Sequence, residues 1–275
     1  MLTGTPELVR YIRSHDCYNH PIFHHWVEVC PSPQVVAAFF FQLKCFCSAT
    51  RYGWNFPESL KSFNLNSASK LLEDIVDSEV GHGADLSKMA GFVINRATKS
   101  NLFKELSNQE TVEAQLKYYS DALLGHLYGY NHDSGLTVET KNAASIFERR
   151  KLVDYESTIM NLGSALALEL VSNNHLIPGL KYCLIDSGLY NVRLDIPEMY
   201  YIKEHWGELG AEQQHENLMI EAINSAHSSA NMYWLTKGAS ELLDSLLILW
   251  RLLDRTLLID NQRQNNKIEF DIMAV

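Results

Sequence analysis

The stretch SPQVVAAFFFQLKCFCSATR, residues 32–51, decides the fold class of this chain. Its apolar run could form either a buried helix or a buried strand. The alanines, the continuation to Arg51 and the proline at position 33 favour a helix, because proline fits the first helical turn and strands are usually shorter. The stretch therefore predicts a buried helix that begins beside Pro33.

Apolar residues recur at helical spacing along the rest of the chain as well. Further helices are predicted from residue 67 onward and over residues 86–98, 110–128, 139–171, 177–188, 197–227 and 240–258. Alternating Val, Ile and Thr runs between tight turns, which would indicate strands, are nearly absent. The segments 54–66, 129–135 and 188–197 are too short for interdomain linkers. We therefore expect one all-α domain over residues 1–275, with a polar tail at 261–275 that frays.

Composition and charge argue against several classes of partner. The chain has 275 residues and a formal net charge of −10, whereas a nucleic-acid partner favours a basic face. No apolar run approaches the roughly 20 residues that span a bilayer, and no secretory leader is visible. Five cysteines without regular spacing indicate reduced thiols rather than a disulfide framework. We expect a cytoplasmic protein that binds neither nucleic acid nor membrane.

Two Glu-x-x-His pairs are candidates for metal binding. Glu79 and His82 are three residues apart, so a helix presents both side chains on one face. Helical bundles use this spacing to present a pair of ligands to iron. Glu212 and His215 repeat the same spacing in a second predicted helix.

An isolated glutamate and a third histidine extend this set. Glu169 lies in Ala-Leu-Ala-Leu-Glu-Leu-Val, where a charge is costly unless it is paired or bound to a cation. His205 precedes Glu212 by seven residues, which is two helical turns on the same face. The full candidate set has three carboxylates and three imidazoles: Glu79, His82, Glu169, His205, Glu212 and His215. Carboxylates neutralise and bridge divalent cations, while imidazoles bind them without adding charge.

Each candidate also has a purely structural interpretation. A single Glu-x-x-His on a helix is usually a solvated surface pair. Glu169 could form a hydrogen bond or ion pair with a buried tyrosine or arginine. The polar stretch around His205 could be a solvent-exposed helix face. The conjunction of two such pairs with one isolated glutamate is what favours metal binding.

The features that carry a family resemblance follow one another in order along residues 20–227. They are His20-Pro21, the aromatic run Phe39-Phe40-Phe41, Leu71-Leu72 before Asp77-Ser78-Glu79, Ala165 to Glu169 before Pro178-Gly179, Tyr200-Tyr201 before His205, and Glu212-Gln213-Gln214-His215. In this order they resemble the haem-oxygenase-like diiron oxidases.

The resemblance implies both a fold and an activity. The family fold is a compact bundle of about seven or more helices with a metal site inside it. The implied protein is an oxidoreductase that uses two iron ions and O₂ to oxidise a small substrate derived from a fatty acid or an amino acid. An iron–manganese pair and a homodimer both stay open.

One ligand position departs from the family pattern. The family places His-x-x-x-Asp-x-x-His on its last ligand helix, so Glu212 and His215 would replace the Asp and the final His. The residue four positions before Glu212 is Glu208, and the nearest histidine is His205. We favour His205, which requires a distortion of the helix at the two glycines that follow it.

Two other functions remain open at this stage. One is a metal-free relative, similar to thiaminase II or to the cofactorless oxidases, which needs a nucleophilic cysteine or an organised polar pocket. No cysteine has an evident basic partner in the sequence. The other is a non-catalytic interaction protein with the same fold.

Overall fold

Helices make up 76% of the chain in the computed structural model, which confirms the all-α fold class. The structure describes residue 2 and residues 4–51, 53–78, 82–207 and 210–273, with the backbone alone at 78, 82, 83, 229 and 259–273. Within these ranges there is no strand, and one isolated bridge joins Asn131 to Leu136.

Thirteen α-helices succeed one another along these described ranges. They are α1 (Thr5–Ser14), α2 (Ile22–Val29), α3 (Pro33–Thr50), α4 (Asn55–Ser62), α5 (Asn66–Ser78), α6 (His82–Thr98), α7 (Gln109–Leu124), α8 (Val138–Ser145), α9 (Tyr155–Val171), α10 (Ile177–Lys181), α11 (Tyr200–His205), α12 (Ala211–Ala226) and α13 (Ser229–Met273). Short 3₁₀ segments cover Ile146–Lys151 and Pro197–Met199, and π-helical turns cover Ser172–Leu176 and Tyr182–Asp186.

Two long predicted helices are divided in the structure. The stretch 139–171 consists of α8, a 3₁₀ segment and α9, because the Asp154 side chain accepts a hydrogen bond from the Ser157 backbone N–H and starts a new helix there. The stretch 197–227 consists of a 3₁₀ turn, α11 and α12. Gly207, at φ +103°, lies between these two helices in a conformation that glycine adopts readily.

One further prediction was wrong, because the segment 54–66, which is predicted as a connection between helices, contains α4, which buries Phe56 and Leu60. The backbone of α13 is helical to Met273, and the fraying of the polar tail from residue 261 stays a prediction. No glycine or proline follows Gly238 in the sequence, so nothing in the chain forces α13 to end earlier.

The buried character of α3 is confirmed, and it includes a polar residue. Val35 to Leu43 are all buried, and among them Gln42 is completely inaccessible. Its amide nitrogen donates to Ser120 Oγ (2.9 Å) and to the Gly135 carbonyl (2.7 Å). Its amide oxygen accepts from the Thr140 hydroxyl at 2.5 Å. This amide therefore joins α3 to α7, to the loop before α8 and to α8 itself.

A close helix crossing joins α9 to α13. A Cβ atom on Gly163 would lie 2.0 Å from the Leu235 carbonyl oxygen, and one on Gly238 would lie 1.9 Å from that of Met160. The Ser164 hydroxyl also donates to the Gly238 carbonyl at 2.9 Å. The two backbones are therefore in direct contact, which fixes the position of α9 against the longest helix of the fold.

Other packing contacts surround this crossing. α3 packs against α6, α7 and α8, α12 packs against α5 and α9, and α2 packs against α13. Nearly all the buried apolar side chains belong to one continuous core. None of the helices in the described part of the chain has the length and apolar character that a membrane crossing needs.

We expect Gly163→Ala to lower the free energy of unfolding by about 2–3 kcal/mol, because its methyl group would overlap the backbone of α13. Replacing glycine by alanine within a helix normally raises stability, so a loss of stability would indicate the overlap with α13. Urea denaturation measures it, with Gly4→Ala as the control, since a Cβ there meets nothing closer than 3.7 Å. A Gly163→Ala protein as stable as the wild type would contradict the close crossing.

Candidate metal centre

Glu169 is buried near the carboxyl end of α9. The helix buries side chains around most of its circumference, in keeping with an Ala- and Leu-rich sequence. Glu169 is only 4% exposed in this setting. The predicted burial of this carboxylate is thus confirmed.

Glu212 and His215 come from the first turns of α12, which packs against α9. Their i and i+3 positions turn both side chains inward, and they are 6% and 3% exposed. One ligand atom from each of Glu169, Glu212 and His215 lies within 4.8 Å of the others. His215 Nδ1 is 3.6 Å from Glu169 Oε2. Two helices far apart in sequence therefore bring together three of the predicted ligands.

His205 is the last residue of α11 and is 2% exposed. Its Nδ1 lies 2.6 Å from the Tyr201 carbonyl oxygen, a geometry in which Nδ1–H donates and the lone pair resides on Nε2. Metal-binding histidines are commonly oriented by such a bond. The Tyr201 ring also packs beside the imidazole, with 4.4 Å between ring centroids.

The helix distortion that a His205 ligand requires is present as a complete break. α11 ends at His205 and α12 begins at Ala211. A continuous helix would place His205 about 10 Å along the axis from Glu212, at 1.5 Å per residue. Because the chain leaves the helical path instead, His205 and Glu212 line the same cavity.

That cavity has a volume of about 70 Å³ and lies beside the carboxylates. Glu169, His205 and Glu212 line it, whereas His215 does not. The carboxyl half of α3 and the Arg51 that follows it supply a second wall, which includes the basic side chains of Lys44 and Arg51. The remaining lining residues are Phe46, Cys47, Ser48, Thr50, Leu86, Leu168, Ser172, Leu176 and Tyr201.

The structure does not describe the side chains of three residues of the sequence prediction. Glu79 falls between α5 and α6, and Glu208 falls between α11 and α12. His82 begins α6, but its side chain is not described. The predicted proximity of Glu169 to Glu79 and His82, and the choice between His205 and Glu208, therefore stay predictions.

A buried carboxylate that the sequence analysis missed holds α12 in place. Glu216 is 4% exposed and follows His215 directly. Its Oε1 accepts from Arg13 at 3.0 Å, and its Oε2 accepts from the side-chain amides of Asn173 (2.6 Å) and Asn174 (2.7 Å). The π turn allows two consecutive asparagines to reach one carboxylate, a feature that helical periodicity does not reveal.

The basic residues near the site are mostly engaged in structural contacts. Lys44 donates to Glu113 Oε2 at 2.5 Å. Burial raises the pKa of Glu113, but hydrogen bonds from Lys44, Gln109 and Ser87 outweigh it and hold the pKa below its usual value. This ion pair fixes one wall of the cavity.

Arg149 and Arg150 also have structural partners. Arg149 donates to Glu241 and Asn161. Arg150 donates to the carbonyls of Thr50 and Arg51 at the end of α3, at 2.7 and 3.1 Å. Arg51, by contrast, is an exposed residue that lines the cavity.

The donor set fits a divalent cation. Two carboxylates offset the charge of such an ion, and imidazole completes a mixed nitrogen and oxygen set that suits iron, manganese and zinc. Burial strengthens the case, because adjacent carboxylates removed from water repel each other unless a cation or protons neutralise them. The described residues contain one group of this kind.

Comparisons with family models, curated proteins and solved structures returned no match for this chain. The resemblance to the haem-oxygenase-like diiron oxidases therefore rests on the quoted residues and stays a prediction.

We expect Glu216→Ala to lower the free energy of unfolding by about 3 kcal/mol, because it leaves Arg13, Asn173 and Asn174 without their shared acceptor. Glu221→Ala is the matched control, since Glu221 is exposed on the same helix and should change stability by less than about 0.5 kcal/mol. Equal effects of the two substitutions in chemical denaturation would show that the Glu216 network contributes nothing.

Proposed function

We propose that this chain is an O₂-dependent, non-haem diiron oxidoreductase related to the haem-oxygenase-like diiron oxidases. The observation that carries the proposal is the buried Glu169–Glu212–His215 group, two of whose members line a small cavity. A substrate derived from a fatty acid or an amino acid is the class that the resemblance implies.

Each residue of the site has a proposed task. Glu169 and Glu212 would hold the metals through their carboxylates, and His215 through an imidazole nitrogen. His205 would bind through Nε2, since its Nδ1 faces the Tyr201 carbonyl. Glu79 and His82 would complete the set that two metals require. When bound, reduced iron supplies the electrons that convert O₂ into an oxidant.

The protein's own contribution is to position the ligands and to limit water. The cavity of about 70 Å³ has room for a few small molecules beside the carboxylates. Phe46, Leu86 and Leu168 give it apolar walls, which favour O₂ and an apolar substrate part over water. Arg51 at the same cavity offers a positive charge for a substrate carboxylate.

Anaerobic titration of the metal-free protein with Fe²⁺ should reach close to two ions per chain, because the six predicted ligands exceed the need of one octahedral ion. At a free Fe²⁺ concentration of 100 times Kd, each bound ion should raise the free energy of unfolding by about 2.7 kcal/mol. Glu169→Ala and His215→Ala should each remove this stabilisation, since both residues belong to the buried group.

Glu221→Ala serves as the control in the same titration, because this exposed residue of α12 lies outside the group. Saturation at one ion would reduce the site to a mononuclear one. No binding of Fe²⁺ would rule out the oxidase function. Binding of Fe²⁺ without consumption of O₂ would support the metal site but contradict the proposed reaction.

A metal-free enzyme is the second candidate, and one observation favours it. Cys47 lines the same cavity as Glu169, so a thiol and a carboxylate that could act as a base border one space. If this candidate is correct, Cys47→Ser abolishes activity while the stoichiometry of Fe²⁺ is zero. If the diiron proposal is correct, Cys47→Ser still binds iron, because Cys47 is not part of the buried group.

A further inference from the structure

The π-helical turn Ser172–Leu176 connects the two helices of the candidate metal centre. It follows α9, the helix of Glu169, without a break. The side-chain amides of Asn173 and Asn174 donate to Glu216 Oε2 on α12, at 2.6 and 2.7 Å. A change in the conformation of this turn therefore acts on the position of α12.

His175 is the next residue of the turn, and its ring lies against aromatic side chains. The Phe23 ring meets the imidazole edge-on, with 5.1 Å between ring centroids, and the Trp250 ring lies at 6.2 Å. Phe23 is itself held against α10, where a Cβ on Gly179 would lie 2.1 Å from its ring. The imidazole thus packs against two rings, neither of which carries a hydrogen-bond acceptor atom.

The Nε2 atom of His175 is buried and has no hydrogen-bond partner among the described residues. In neutral imidazole one ring nitrogen carries a proton, whereas in imidazolium both nitrogens carry one. Protonation of His175 therefore leaves an N–H group at Nε2 without an acceptor and moves a positive charge out of water. Both effects are unfavourable in the closed turn.

The electrostatic surroundings of His175 also oppose its protonation. Burial, with smaller contributions from the neighbouring His20 and His24, lowers the pKa of His175 from 6.5 to about 4. Among the described residues, these two histidines are the charged groups that act on His175 itself. The other titratable groups of the region lie before α2, on α2, after α10, on α12 and on α13: Asp16, Tyr18, His25, Tyr182, Glu216, Arg251 and Asp254.

We propose that the turn Ser172–Leu176 is an acid-sensitive joint, in which protonation of His175 opens the turn and releases α12 from the Glu216 network. Opening lets the imidazolium reach water, while the amides of Asn173 and Asn174 leave Glu216. The loss of a bound metal on opening rests on the proposed function, whereas the opening itself takes place in the metal-free protein.

The lowered pKa of His175 sets the direction of the pH dependence. A histidine that resists protonation in the closed turn takes up its proton on opening, so closure is favoured above pH 6.5 and weakens as the pH falls toward 4. Between pH 7.5 and pH 5, the equilibrium constant for opening should rise about 30-fold through His175 alone.

Hydrogen-exchange mass spectrometry of the metal-free protein at pH 7.5 and pH 5 tests this proposal. After correction for the intrinsic pH dependence of exchange, peptides from Ser172–Leu176 and from the first turns of α12 should exchange about 30-fold faster at pH 5, while α3 keeps its protection. His175→Phe retains an aromatic ring that cannot be protonated, so it should lose this acceleration. His126→Phe, the matched control at an exposed histidine, should keep it.

Three results of this experiment would overturn the proposal. The first is an unchanged exchange rate in these peptides of the wild-type protein, and the second is the same acceleration in His175→Phe. The third is an equal acceleration in α3, since the protein would then unfold as a whole.

A nuclear magnetic resonance titration of the wild-type protein covers the case in which His175→Phe does not fold, as judged by circular dichroism. The His175 imidazole should stay neutral at pH 5.5, because its pKa is lowered to about 4. Protonation of His175 near pH 6.5 would contradict the proposed joint.

Discussion

Two carboxylates held side by side away from water set the main physical constraint on this fold. Glu169 and Glu212 come from different helices, yet ligand atoms from both lie within 4.8 Å of each other and of His215. Repulsion between two such charges is strong in a medium of low dielectric constant, so the arrangement needs a compensating positive charge or a proton. A divalent cation provides that charge and also fills the coordination positions that the carboxylates offer.

The surrounding structure holds α9 and α12 in the positions that this arrangement requires. Contact between the backbones of α9 and α13 at Gly163 and Gly238 leaves α9 no room to shift toward α13. The Glu216 network ties α12 to α1 and to the π turn that follows α9. The helix break after His205 then brings the imidazole of His205 to the cavity that Glu169 and Glu212 line. Favourable packing and hydrogen bonds thus position charged groups that are individually unfavourable to bury.

The all-α class, the burial of α3 and the burial of Glu169 were predictable from the sequence, because each depends on local apolar periodicity. The proximity of Glu212 and His215 to Glu169 depends on a contact between α9 and α12, which local spacing does not encode. The two glycines after His205 indicated a distortion, and the structure has a complete break of the helix after His205. The role of Glu216 was not predictable, since its signals are single hydrogen bonds from Asn173 and Asn174, some 40 positions away. The two π turns were not predictable either, because apolar periodicity does not reveal them.

The central claim is that Glu169, Glu212 and His215 bind metal, and anomalous diffraction at the iron absorption edge tests it most directly. Crystals of the wild-type protein would be soaked with Fe²⁺ without oxygen, and data would be collected on both sides of the edge. We expect anomalous density within coordination distance of the Glu169 and Glu212 carboxylates and of the His215 imidazole, at about 2.0–2.2 Å from the ligand atoms. A map with no anomalous density between these three side chains, at an Fe²⁺ concentration that saturates the protein in solution, would contradict the claim.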